Sequence, residues 1–302
     1  MHPMANLLFD NGGFDQTCAN ALSELQKKLD FGLWMVTRAD GKDGIILKSV
    51  GQGYGVEQGL VYRWMDSFCC RMIEGRGPSF APDCSVIPAY VEVSSRLEIP
   101  IQAYMGYPLR KPSGELIGTL CAVSPNRVPQ EWSKHESYVK SVVTKIEGAF
   151  LRDYEEAEST FKDHALAQSD SDNSQLHLSP DWDSLILEQE AEAQESEANM
   201  SILLVRVNAD SFNGNMAQTL HRIIGRSNHL SYIGKDLYAA ILLNCNAPKL
   251  AAYVSMVRSC LGTLGVDHKV GHAVRNNIRG FQAAYDQAMV NVSQDDPLLN
   301  VA

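Results

Sequence analysis

Apolar residues at Phe14, Cys18, Leu22, Leu25 and Leu29 recur every three or four positions, so residues 13–30 are expected to form an amphipathic helix. Residues 31–37 and 44–50 are short apolar runs that read as strands, joined by the Gly- and Asp-rich turn ADGKDG. Leu60, Trp64, Phe68 and Met72 are spaced by fours, which predicts a second helix over 58–74. The segments Ser79–Phe80 and Val86–Ile99 are broken by Pro82 and Pro88. Two further strands, Ile101–Leu109 and Leu116–Val123, flank the turn KPSGE.

A long helical pattern begins at Trp132 and runs to about Glu158. Its apolar positions Val139, Val142, Ile146 and Ala149 make the narrow stripe of a coiled-coil seam. A homodimer through the 131–158 helix and packing of that stripe on its own sheet both satisfy the pattern. Residues 160–182 have no period and are rich in Ser, Asp and Asn, as a linker is. Beyond them an acidic helix is expected at 183–198. Then follow a strand at Ser201–Val207, a helix at Met216–Gly225 and a strand pair at His229–Ile233 and Tyr238–Leu243. A helix at Lys249–Leu264, a strand at Asp267–Ala273 and a helix at Ile278–Val290 complete the order. Such alternation is that of a mixed α/β sheet domain.

Composition supports this division. The chain has 302 residues and a net charge of −10. Residues 151–200 hold 14 Asp or Glu against only Arg152 and Lys162, whereas residues 1–150 carry a net −1 and residues 201–302 a net +3. The acidic excess therefore marks a connector between two nearly neutral halves, and its charge reads as a solvated face. No polybasic run points to nucleic acid. No apolar run reaches the ~18 residues of a membrane span, and the opening MHPMANLLFDNGG lacks a signal-peptide layout, so a cytoplasmic location is expected. The seven cysteines are odd in number and form no CxxC, as expected of reduced, mostly buried thiols. The vicinal pair Cys69-Cys70 is a candidate redox sensor, set against the simpler reading of small buried thiols in an amphipathic stretch. The histidines show no metal-ligand spacing, so no metal is expected.

Two stretches carry family resemblances. Tyr104-Met-Gly106-Tyr-Pro108-Leu109 followed by Ser113-Gly114-Glu115-Leu-Ile-Gly118-Thr119-Leu120-Cys121 resembles the paired strands of a GAF domain, over about residues 10–155. The resemblance implies a sensor or dimerisation module with a small-molecule cavity, and Trp64, Tyr90 and Tyr104 are candidate lining residues. A bilin is disfavoured because Cys84 lacks the adjacent His. Haem is disfavoured because residues 31–130 contain no His. No cofactor is therefore expected.

Tyr232-Ile-Gly234-Lys235-Asp236-Leu237-Tyr238 resembles the signature hairpin of a GGDEF domain, the diguanylate cyclase fold, with Gly234 to Tyr238 in the five signature positions. Leu204-Val-Arg-Val-Asn208-Ala-Asp210-Ser-Phe212-Asn213 resembles that family's first strand and turn, and Ala284-Tyr-Asp286-Gln-Ala288-Met289 a later helix. A cyclase holds two Mg²⁺ with carboxylates from the strand and the hairpin. Asp236 is kept, but the strand position is Asn208, the second Gly is Lys235 and the Glu is Leu237. The guanine-recognition segment is missing between Asn213 and Met216, the family's opening motif is absent before Ser201, and its terminal phosphate contacts are replaced by Val290-Asn-Val-Ser-Gln. The inhibitory Arg-x-x-Asp would fall at Gly225-Arg-Ser-Asn228, with Arg226 displaced by one place and Asn228 for Asp.

The expected architecture is α+β with two domains. A GAF-like antiparallel sheet flanked by helices (1–158) is joined by a long helix and an acidic linker (159–182) to a degenerate GGDEF-like α/β sandwich (183–302). The expected function is non-catalytic signalling through protein partners, with a possible ligand in the GAF cavity. A GTP or cyclic di-GMP receptor is the alternative, and an active cyclase the least favoured reading.

Overall fold

The computed structural model describes residues 13–40, 43–51, 54–97, 99–167, 181–196, 198–208, 215–225 and 227–294. The chain divides into two compact units, one ending at Leu151 and the other starting at Arg152.

The first unit opens with α1 (Phe14–Lys28), followed by β1 (Leu33–Asp40) and β2 (Asp43–Gly51). Short elements follow: β3 (Val61–Arg63), a 3₁₀ turn (Trp64–Asp66), α2 (Phe68–Ile73), β4 (Phe80–Ala81), a 3₁₀ turn (Cys84–Val86) and α3 (Pro88–Ser94). Then come β5 (Ala103–Arg110), β6 (Leu116–Ser124), a 3₁₀ segment (Gln130–His135) and α4 (Glu136–Ala167). One antiparallel sheet runs β3-β2-β1-β6-β5-β4.

The expected 58–74 helix is corrected at its first half. Gly59 donates to Ile46 O at 2.8 Å and Ile46 to Leu60 O at 2.9 Å, so the chain joins the sheet edge. Spacing by fours suits either period, because every fourth residue also shares one face of a strand. The helix begins only where Ser67 caps it, its hydroxyl accepting from Cys70 N at 3.0 Å.

Alternation along β1 and β6 splits the unit into two layers. Leu33, Met35, Cys121 and Val123 face a core built with α2 and α3. Trp34, Val36, Leu120 and Ala122 are fully buried on the opposite face, where Trp34 Nε1 donates to Leu29 O at 3.0 Å. Phe14 meets Phe150 edge-on at 5.7 Å, bringing α1 against α4. Val139, Val142, Ile146 and Ala149 are buried within this unit. The seam-like stripe is thus covered by its own chain, and these four side chains have no free face to offer a second subunit.

The second unit receives the later turns of α4, which continue to Ala167, beyond the expected end near Glu158. Residues 168–180, the middle of the expected linker, lie outside the described residues. Next come α5 (Trp182–Ser196), β7 (Ser201–Val207), α6 (Met216–Ile224), β8 (His229–Gly234) and β9 (Leu237–Leu242). The last elements are α7 (Ala247–Thr263), β10 (His268–Val274) and α8 (Gly280–Gln294). The order β-α-β-β-α-β over a sheet β10-β7-β9-β8, antiparallel throughout, is the split βαβ arrangement. Leu203, Val205 and Val207 point to a core with Leu220, Val254 and Val257. Ile202 and Leu204 point to the other, with Leu185, Phe281 and Ala288. The sheet is thus covered on both faces, the sandwich expected from the sequence. Much of the acidity of 151–200 rides on α4 and α5 rather than on a connector, since only Asp170 and Asp172 fall within 168–180.

Candidate functional site

The first unit holds a partly open cavity of about 420 Å³ on the sheet face that carries α2 and α3. Its sheet wall is set by register: Leu33 lies opposite Val123, Met35 opposite Cys121 and Thr37 opposite Thr119. Alternate residues of a strand share a face, and all of these except Thr119 line the cavity. Tyr54, Tyr62, Phe68 and Cys69 add to the wall, and Leu97 and Ile99, each about two-fifths exposed, lie at its edge. Among the described residues, Asp66 is the one charged residue lining it, and it is engaged by Arg96 at 2.9 Å and Arg63 at 3.7 Å. A wall of this kind, with no cation among its described residues, suits an uncharged, mostly apolar guest better than a phosphate.

Of the three aromatic candidates, only Tyr104 lines this space. Tyr90 is fully buried beneath it, its hydroxyl donating to Pro78 O at 2.6 Å. Its ring packs on Phe68 at 4.8 Å and on Tyr104 at 5.2 Å. Trp64 is buried in the same core but is not a lining residue. Both are therefore corrected to core residues. Tyr104 is wholly buried, and its hydroxyl has no hydrogen-bond partner of full geometry, although the Cys69 thiol lies beside it. The Tyr54 hydroxyl is likewise buried and unpartnered, and burial pushes its pKa up to about 12.

Space for the Tyr104 ring comes from Gly106, where a Cβ would stand 2.0 Å from the hydroxyl. A Cβ on Gly118 would stand 1.8 Å from Thr37 O, so that glycine lets β1 and β6 close up. These are the close approaches for which the motif's glycines are needed.

A polar cluster sits in this wall. Thr37 and Thr119 share a hydrogen bond of 2.8 Å between their hydroxyls, and Thr119 Oγ1 donates to Cys69 Sγ at 3.1 Å. Cys121 lies two residues from Thr119 on the same face of β6, and both Cys69 and Cys121 line the cavity. The Cys121 contact, joined by Thr119, holds the Cys69 thiol below its usual range against the opposing effect of burial. That contact, with burial, pushes Cys121 well above the usual thiol range, and burial above all does so for Tyr104. Reading along the chain paired Cys69 with Cys70 and missed Cys121. The available signal was alternation, which puts Thr119, Cys121 and Val123 on one strand face.

In the second unit, β8 and β9 form the hairpin expected from the signature. Lys235 and Asp236 are its two turn residues, with φ of +52° and +58°, the double left-handed geometry of a type I′ turn. Asp236 O accepts from Val207 N at 2.9 Å, and Asn208 N donates to Asp267 O at 2.9 Å. Asn208 and Asp236 thus stand at the same end of the sheet. Leu237 turns inward and is 4% exposed in the core with Leu204 and Phe281. The Tyr238 ring lies 5.1 Å from that of Tyr232. Asp210, Phe212, Asn213 and Arg226 lie outside the described residues. Asn228 is buried: its Nδ2 donates to Ile224 O and its Oδ1 accepts from Leu243 N at 2.8 Å, tying α6 to the end of β9. Among the described residues, no three His, Cys, Asp or Glu side chains gather as a metal site.

Residues 13–147 match the family model of the GAF domain. No curated protein matches the chain. Among solved structures, the chain is similar to a free methionine-R-sulfoxide reductase from Neisseria meningitidis in complex with its substrate, at 15% identity over 46% of this chain and 79% of that one, TM-score 0.38. It is similar to the GAF domain of an Acinetobacter phosphoenolpyruvate-protein phosphotransferase at 8% identity, over 46% and 83%, TM-score 0.38. It is also similar to the GGDEF domain of DgcB from Caulobacter crescentus in complex with c-di-GMP, at 13% identity, over 42% and 90%, TM-score 0.32. At these identities no residue role passes from those proteins to this chain. No helix among the described residues is long and apolar enough to cross a membrane.

Proposed function

We propose that this chain is a signalling protein whose GAF domain senses a small uncharged molecule. Its second unit is a GGDEF-like module that no longer turns over GTP and acts through protein contacts. The observation that carries the sensing role is the 420 Å³ cavity, with the buried, unpartnered Tyr104 hydroxyl in its wall. A lone buried hydroxyl costs about 1–3 kcal/mol, which a guest bearing one polar atom would recover.

The loss of turnover rests on Asn208 and Leu237. An amide stands where the resemblance calls for an anionic ligand, and Leu237 is built into the core. The nucleotide-receptor alternative has less behind it, because both amide atoms of Asn228 already serve the fold.

The sensing role is tested by thermal unfolding of the whole chain with a panel of neutral mono- and bicyclic metabolites. A ligand at a hundred times its dissociation constant adds about 2.7 kcal/mol of stability. At least one such shift is expected, and Ile46→Phe, which fills the cavity, is expected to abolish it. No shift with any compound, or equal shifts in the variant, would overturn the reading.

A further inference from the structure

One sulfur sits in the polar part of the cavity wall. Thr119 Oγ1 donates to Cys69 Sγ at 3.1 Å, Cys121 lies two residues further along the same face of β6, and the Tyr104 hydroxyl, buried without a partner, belongs to the same wall. Neutral sulfur is a weak acceptor, whereas a thiolate accepts several hydrogen bonds strongly. A sulfur that accepts from Thr119 in this wall is better able to carry negative charge than one in a purely apolar core. Both Cys69 and Cys121 line the cavity, so a small guest held there lies against them. The apolar Leu97 and Ile99 at its edge favour an uncharged visitor. Cys70 is not part of this cluster. Its thiol donates to Glu74 Oε1 at 3.4 Å, and burial pushes its pKa up to about 11.

We propose that Cys69 and Cys121 are a redox pair that a small uncharged hydroperoxide, entering the cavity, converts to a disulfide. In the first step the Cys69 thiolate attacks the distal peroxide oxygen. An S–O bond forms and the O–O bond breaks. The leaving alkoxide or hydroxide takes up the proton that Cys69 released, giving an alcohol or water and Cys69 sulfenic acid. In the second step the Cys121 sulfur attacks the Cys69 sulfur. The S–S bond forms, the S–O bond breaks, and the departing hydroxide leaves as water with the Cys121 proton. The two thiols together lose two electrons and the hydroperoxide gains them. Closing the sulfurs to about 2.05 Å ties α2 to β6 across the cavity wall and reshapes the space available to any ligand. The chemistry requires only the cavity and the two thiols, and it stands whether or not the second unit signals.

The test is treatment of the whole chain with hydrogen peroxide, alkylation of the remaining thiols and peptide mass mapping. The expected product is a Cys69–Cys121 disulfide that dithiothreitol reverses, with Cys70 still alkylated. Two free thiols at Cys69 and Cys121 in folded protein, or a Cys69–Cys70 bond, would overturn the proposal. In Cys121→Ser the reaction should stop at a Cys69 sulfenic acid trapped by dimedone, and the absence of that adduct in folded variant counts against it. Tyr104→Phe removes one donor without removing a satisfied hydrogen bond. It should slow Cys69 oxidation about tenfold with no loss of stability, and an unchanged rate would contradict a cavity wall that supports the Cys69 thiolate.

Discussion

Tyr104 and Gly106 show how two residues on one strand face seat a ring in the cavity wall. A Cβ at position 106 would stand 2.0 Å from the Tyr104 hydroxyl, so Gly106→Ala must displace the ring or the strand. Overpacking of that kind costs about 1–3 kcal/mol, and urea unfolding should show a loss of that size. Tyr104→Phe should have the opposite sign. It removes a buried hydroxyl that lacks a partner, so stability should hold or rise by about 1 kcal/mol in the same measurement. The importance of Tyr104 could be suspected from the sequence, because it opens the GAF-like motif. Its difference from Trp64 and Tyr90 could not, since all three are apolar-patterned aromatics in one core and only side-chain direction separates them. The pairing of Cys69 with Cys121 was equally hidden, because it depends on how α2 settles over β6.

At the scale of elements, α5 is fastened to the segment after β10 by one buried ion pair. Arg275, its side chain 2% exposed, gives Nε to Glu190 Oε2 at 2.9 Å and a terminal nitrogen to Oε1 at 2.5 Å. The Arg275 guanidinium, helped by the Phe281 N–H and by Gln194, holds the Glu190 carboxyl below the usual value of 4.5, against its partial burial. A carboxyl whose folded pKa is depressed gives stability that is fully present above its unfolded value. That stability is lost as pH falls through the folded one. The second unit should therefore lose stability as pH drops below 4.5, and Glu190→Gln should flatten that part of the profile. Glu190→Ala, which leaves Arg275 buried and unpaired, should cost about 3–5 kcal/mol at neutral pH. Denaturant midpoints across pH check both.

The same scale shows what patterning reveals. The sequence places β7 at Ser201–Val207 and it is found there, because the short apolar run Ile202–Val205, followed by Val207 and bounded by polar turns, has one good solution. The 58–74 stretch was misread because spacing by fours fits a strand as well as a helix, and hydrogen bonding to Ile46 decides between them. The Val139–Ala149 stripe shows a third case: a narrow apolar seam looks the same whether a second chain or the helix's own sheet covers it, and here the covering lies within the unit.

At the scale of the whole molecule, two units of unlike design share one chain. The first is a six-stranded sheet with a cavity on one face, and the second a four-stranded sheet packed on both faces. The fold of the second was legible as an order of elements, and its hairpin as a signature, but neither shows whether the chemistry survives. That judgement rests on single positions, Asn208 and Leu237 above all. With Leu237 still built into the core, restoring the strand carboxylate alone by Asn208→Asp should return no activity.

The most direct measurement incubates the whole chain with GTP and Mg²⁺ and resolves the products by chromatography. No cyclic di-GMP above a protein-free control is expected, in the native chain and in Asn208→Asp alike. Its accumulation beyond one product per chain would contradict a non-catalytic signalling protein.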